Sequence, residues 1–89
     1  MAWRIELSPA ADRALGKLDP QHARRILRFL SSRLARLDNP RSIGQALQGQ
    51  KLGEFWKYRV GDYRLICKIE DVSILILVLQ IGHRREVYR

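Results

Sequence analysis

The chain has 89 residues, 17 of them Lys or Arg against nine Asp or Glu, for a formal net charge of +8, and 46% of it is apolar. That length holds one domain, residues 1–89, and the apolar share is too high for a disordered basic tail. The lone cysteine, Cys67, excludes a stapled secreted mini-protein and points to the cytoplasm, and the longest apolar run, Ile74 to Leu79, is far short of the ~20 residues of a membrane helix.

Residues 2–7 alternate, with Trp3, Ile5 and Leu7 on one face, as a half-buried strand does. Ser8-Pro9 then starts a helix, serine as cap and proline in the first turn, with Ala11, Leu15 and Leu18 sharing a face. Asp19-Pro20 repeats the signal. After it Ala23, Ile26, Leu27, Leu30, Leu34 and Leu37 form the stripe of one long helix. Arg24, Arg25, Arg28 and Arg36 fall on the opposite side and Arg33 near the edge, a basic surface suited to nucleic acid or an acidic partner. Residues 38–54 read as loop. Phe55 to Val60 and Tyr63 to Ile69 flank Gly61-Asp62, a two-residue hairpin turn of type II′ with glycine first. Past the turn Glu70 to Ser73, the run Ile74 to Ile81 reads as a central strand buried on both faces. The order is βααβββ: an α+β fold, with an N-terminal helical hairpin packed on a mostly antiparallel sheet.

A two-residue turn fixes the register of its hairpin. Arg59 then faces Arg64, Tyr58 faces Leu65, Lys57 faces Ile66 and Trp56 faces Cys67. One face carries Trp56, Tyr58, Val60, Tyr63, Leu65 and Cys67, a core face. The other carries Lys57, Arg59, Arg64 and Lys68. Like charges directly opposite one another are destabilising, so an anion binds there, or Glu54, Glu70 or Asp71 neutralises the cluster, or an antiparallel edge exposes it to solvent. The polar C-terminal segment adds His83, Arg84 and Tyr88, which Gly82 allows to bend back to the same face.

Such a site has no carboxylate pair and no metal-ligand spacing, and Cys67, His22 and His83 are too few ligands for a zinc centre, so no cofactor is expected. It can offer electrostatic stabilisation of a pentavalent phosphate plus proton transfer. RNA supplies its own nucleophile, the 2′-hydroxyl. Lys57 can act as the base if Arg59 and Arg64 lower its pKa.

The stretch Leu47-Gln48-Gly49 through Trp56-Lys57-Tyr58-Arg59-Val60-Gly61-Asp62-Tyr63-Arg64-Leu65, closed by Ile81-Gly82-His83-Arg84-Arg85-Glu86-Val87-Tyr88-Arg89, resembles the RelE/ParE toxin superfamily. Length and element order match across the whole chain. The resemblance to the RelE branch implies the toxin of a type II toxin–antitoxin system, a ribosome-dependent endoribonuclease that cuts mRNA in the A site by metal-free 2′-OH attack. It places Lys57 at a catalytic lysine and Arg59 where a second lysine stands. Arg64 falls at the arginine that stabilises the transition-state phosphate, Arg84 at an arginine that is general acid or phosphate clamp, and Tyr88 at a tyrosine that orients or stacks the RNA. Arg59 keeps the charge but is a poor base, which leaves Lys57 or His83 for that role. Arg24, Arg25, Arg28, Arg36 and Lys68 would contact RNA or the ribosome. The sequence ends at Arg89, so the C-terminal helix of some relatives is not expected. The implied partners are a cognate antitoxin, the ribosome and mRNA, with operator DNA reached only through the antitoxin and no membrane. The ParE branch shares the fold, acts on DNA gyrase and lacks this catalytic set, and a ParE-like gyrase inhibitor is the alternative.

Overall fold

A computed structural model describes residues 2–47 and 55–83. In chain order these form β1 (Arg4–Leu7), α1 (Pro9–Gly16), α2 (Pro20–Arg28), β2 (Gln45–Ala46), β3 (Phe55–Val60), β4 (Tyr63–Glu70) and β5 (Leu75–His83). The strands make one sheet in the order β1-β5-β4-β3-β2, with β1 parallel to β5 and every other pairing antiparallel. The expected α+β architecture, with helices on one face of a mostly antiparallel sheet, is what forms.

Both cap-and-proline starts are realised. The Asp19 carboxylate accepts from the Gln21 N–H at 3.3 Å, and the Ser8 hydroxyl accepts from the Ala11 N–H at 3.1 Å. Ser8 has a second task, because its Oγ donates to the Leu79 carbonyl at 2.8 Å. Leu79 is the extra residue of a bulge: Ile66 pairs with Gln80 and Cys67 with Val78. One side chain thus caps α1 and satisfies the carbonyl that the bulge removes from the ladder. Ser8→Ala is therefore expected to cost about 2 kcal/mol, a lost cap plus an orphaned acceptor. For so small a domain, that lowers the melting temperature by roughly 10 °C in a thermal scan.

The single long helix expected from Pro20 to Leu37 changes its winding. After α2 come a π-turn, Phe29–Arg33, and a 3-10 turn, Leu34–Arg36. The core-facing residues explain it: Ile26, Leu30 and Leu34 are all buried and spaced by four. Four residues of α-helix overshoot a turn by about 40°. A wider π-turn rotates less per residue and brings Leu34 back over the sheet, while Leu27 is left 44% exposed.

Two further differences lie in the loops. The stretch read as loop holds a 3-10 turn, Pro40–Ile43, and the short β2. That turn begins with the same signal as the helices, the Asn39 side chain accepting from the Arg41 N–H at 3.1 Å before Pro40. Gly44 follows because a Cβ there would lie 2.8 Å from the Tyr58 ring, whose hydroxyl donates to the Pro40 carbonyl at 2.7 Å. The last strand starts at Leu75 rather than Ile74, which has a φ of +51° and closes the turn. It is buried on one face only, through Ile76, Val78 and Ile81, with Leu75, Leu77 and Leu79 half-buried. Ile76, Val78 and Ile81 join Ala11, Leu15, Ile26, Leu30 and Leu34 in the core. Cys67 lies in it too, and burial pushes its thiol up to about 12, an inert group.

Candidate functional site

Gly61 has a φ of +61° and Asp62 does not have a positive φ, the pattern of a type II′ turn. The hairpin register follows as read: Val60 pairs with Tyr63, Arg59 with Arg64, Tyr58 with Leu65, Lys57 with Ile66 and Trp56 with Cys67. Tyr58, Val60, Leu65 and Cys67 enter the core. The register leaves Lys57, Arg59, Arg64 and Lys68 on the opposite face.

Arg64 is 8% exposed, the one buried charged side chain among the described residues. Its guanidinium curls back along its own hairpin, Nη1 donating to the Tyr63 carbonyl at 3.2 Å and to the Gly61 carbonyl at 3.4 Å. Across the sheet its partner on β5 is Gly82, which adds no side chain to the row. Lys57 is held below the ordinary lysine range, first by burial and then by the nearby charges of Arg64 and Arg59. Of the acids considered as neutralisers, Glu70 meets one cation of this face and Asp71 is engaged elsewhere. Glu70 pairs with Lys68 at 3.5 Å. Asp71 takes both arms of Arg41, at 2.9 and 2.7 Å, while that guanidinium lies 5.9 Å from the Trp56 ring centroid. Glu54 lies outside the described residues.

β2 pairs only with Trp56 and Lys57, so from Tyr58 to Val60 the outer edge of β3 has no strand beside it among the described residues. α2 and the π-turn border that edge and leave a groove of about 580 Å³. Arg25, Arg28 and Arg33 line it from the helical side, Lys57 and Arg59 from the strand, and no carboxylate of the described residues joins them. Of the arginines read as a separate helix surface, Arg25 and Arg28 are therefore part of the sheet's cationic site. Arg33, placed only at the edge of the stripe, belongs to it; Arg24 and Arg36 are exposed but do not line the groove.

His83 does not reach the cationic face. At the end of β5 it pairs with Tyr63 of β4 and meets that ring edge-on, with centroids 5.9 Å apart. The bulge at Leu79 is the reason. One extra residue shifts the pleat by one, so Gly82 rather than Ile81 faces Arg64, and His83 turns to the helix side. There it joins His22, whose ring lies 5.4 Å from Tyr63 on the same cavity. Arg84 and Tyr88 lie outside the described residues.

Among the described residues, no group of three or more His, Cys, Asp or Glu side chains is placed to hold a metal ion. No helix among them is long and apolar enough to cross a membrane. Chemically, the groove suits a polyanion whose charge is spread along its length, next to a lysine that loses its proton more readily than usual.

Known proteins share this fold. The family profile described as "ParE toxin of type II toxin-antitoxin system, parDE" matches residues 5–88. The chain is 30% identical over all 89 residues to toxin RelG of Mycobacterium tuberculosis, spanning 99% of that protein. A chain of the toxin–antitoxin complex RelBE2 from Mycobacterium tuberculosis superposes with a TM-score of 0.84 at 27% identity, over 97% of this chain and 95% of that one. For a chain of the archaeal RelE–RelB complex from Pyrococcus horikoshii the TM-score is 0.76 at 27% identity, over 98% and 100%. With a profile match across nearly its full length and a relative aligned end to end, this chain belongs to the RelE/ParE toxin superfamily of type II toxin–antitoxin systems.

Proposed function

We propose that this chain is a ribosome-dependent mRNA endonuclease, the toxin of a toxin–antitoxin pair, held inactive by a cognate antitoxin. The observation that carries the reading is the groove where Arg25, Arg28, Arg33, Lys57 and Arg59 converge, with no carboxylate of the described residues beside them. RNA laid along it exchanges its counterions for protein cations. Lys57, its pKa depressed, takes the proton from the 2′-hydroxyl. The 2′-oxygen attacks the adjacent phosphorus, the bond to the 5′-oxygen breaks, and that oxygen leaves with a proton. Arg64 and Arg59 offset the charge that builds on the phosphoryl oxygens, which is where a preorganised guanidinium has most effect. By the family resemblance, Arg84 donates the last proton or clamps the phosphate, and Tyr88 orients the RNA. Arg24, Arg36 and Lys68 supply further contacts to ribosomal RNA. Solved relatives are bound to their antitoxins, which supports a cognate partner here.

The test is to add the protein to a translating extract and map mRNA 5′ ends. Cuts at a fixed codon position that vanish with Arg64→Ala support the reading. Intact mRNA with gyrase-linked DNA breaks favours the second one, a gyrase inhibitor without nuclease activity. That reading has the family profile behind it, since the matching profile carries the ParE name.

The lowered pKa of Lys57 gives a pH signature. A base works deprotonated, so cleavage rises with pH along a limb lying below the ordinary lysine value. Arg59→Gln removes one of the charges that depress it, and the limb is expected to move to higher pH. A limb that stays in place in the single-turnover pH profile rules out Lys57 as the base.

A further inference from the structure

Beside the cationic groove, on the far side of Gly61, lies a second cavity of about 430 Å³. His22, Tyr63 and His83 line it together with Asp62. The three rings are inclined rather than stacked, His22 to Tyr63 by 49° and Tyr63 to His83 by 83°. Parallel stacking would use up their faces; inclined rings leave part of each face to the cavity, and all three residues remain partly exposed. Arg25 lines both concavities, and its Nη1 would lie 2.8 Å from a Cβ at Gly61, so the guanidinium rests on the glycine between them. Arg25 lines the same cavity as the rings, so a phosphate that it held would adjoin them.

We propose that this cavity is a nucleobase subsite: a single-stranded ribonucleotide whose phosphate sits in the groove at Arg25 places its base among His22, Tyr63 and His83, with Asp62 reading the base edge. The inference rests on the groove being a phosphate site for RNA, and extends that reading to which nucleotide is accepted. Unstacked bases are recognised by aromatic rings and guanidinium planes, and both are present here. Asp62 is acceptor-only when ionised, so it favours guanine, adenine and cytosine, whose amino groups donate at the base edge, over uracil, whose single imide N–H lies between two carbonyl oxygens that repel a carboxylate.

The experiment is NMR titration of the full chain with the four nucleoside 5′-monophosphates and, separately, with ribose 5-phosphate. The nucleotides carrying amino groups are expected to move the ring signals of His22, Tyr63 and His83 as well as the Arg25 guanidinium signal. Ribose 5-phosphate is expected to move the arginine alone. Uridine monophosphate is expected to bind roughly tenfold more weakly, the low end for a good base contact. Asp62→Asn is expected to abolish that preference, and His22→Ala to weaken nucleotides without weakening ribose 5-phosphate. Identical footprints for nucleotides and ribose 5-phosphate, or four bases bound equally well, overturn the proposal. A chain with the base footprint that cuts no mRNA contradicts the nuclease reading instead and leaves the subsite standing.

Discussion

Arg64→Lys is expected to lower single-turnover mRNA cleavage by about 10²- to 10³-fold while leaving the melting temperature close to that of the parent. The lysine keeps the charge and most of the apolar stem, so a loss reports on the guanidinium itself. Arg64 is buried, and its Nη1 is held by the Tyr63 and Gly61 carbonyls of the hairpin that fixes its position. An ammonium has no planar fork, cannot reproduce that geometry and present donors to a phosphoryl oxygen at once, and must pay more to shed its water. A preorganised donor of this kind acts mainly on the transition state, so the loss is expected in the cleavage rate and little in RNA affinity. A decrease under threefold would place the phosphoryl charge elsewhere.

The second large effect concerns binding. Each phosphate neutralised on a single strand contributes about 0.7 to the slope of log affinity against log salt. With all five groove cations engaged, affinity for single-stranded RNA is expected to fall about 10²-fold between 50 and 200 mM salt. Replacing Arg25, Arg28 and Arg33 together with glutamine removes about two units of slope, and the fall over the same range shrinks to about sevenfold. Arg24 and Arg36 are the control pair: both are exposed and neither lines the groove, so their replacement should leave the slope much nearer the parent value. Equal effects from the two sets would mean that RNA reads the net charge of the chain and not the groove. Filter binding or fluorescence anisotropy across a salt series decides it.

What could be read from the sequence depended on how local its cause is. The hairpin register follows from two residues, Gly61 and Asp62, and from it the pairing of Arg59 with Arg64 could be derived before any coordinates. Ser8-Pro9 and Asp19-Pro20 marked the helix starts because a cap and a fixed φ act within one turn. Asn39-Pro40 carries the same signal, but the turn it opens has only four residues, too few to show an apolar stripe. The groove was not legible in the same way. It exists because α2 borders the outer edge of β3 just where β2 stops, and no short-range pattern records that approach. His83 was misplaced for a related reason. Nothing in Val78-Leu79-Gln80 announces a bulge, yet one extra residue there decides which face every later side chain takes. The clue was distant in sequence: Ser8, 71 residues earlier, holds the bulged carbonyl.

The central claim is that the groove positions RNA for attack by its own 2′-hydroxyl. It is tested most directly with a translated mRNA carrying a single 2′-deoxynucleotide at the codon position that is cut. Cleavage of the unmodified message is expected to leave a 2′,3′-cyclic phosphate and a 5′-hydroxyl, and the single deoxy substitution is expected to abolish it at that position alone. Continued cutting of the substituted message, a 5′-phosphate on the downstream product, or no cutting of either message would contradict the account.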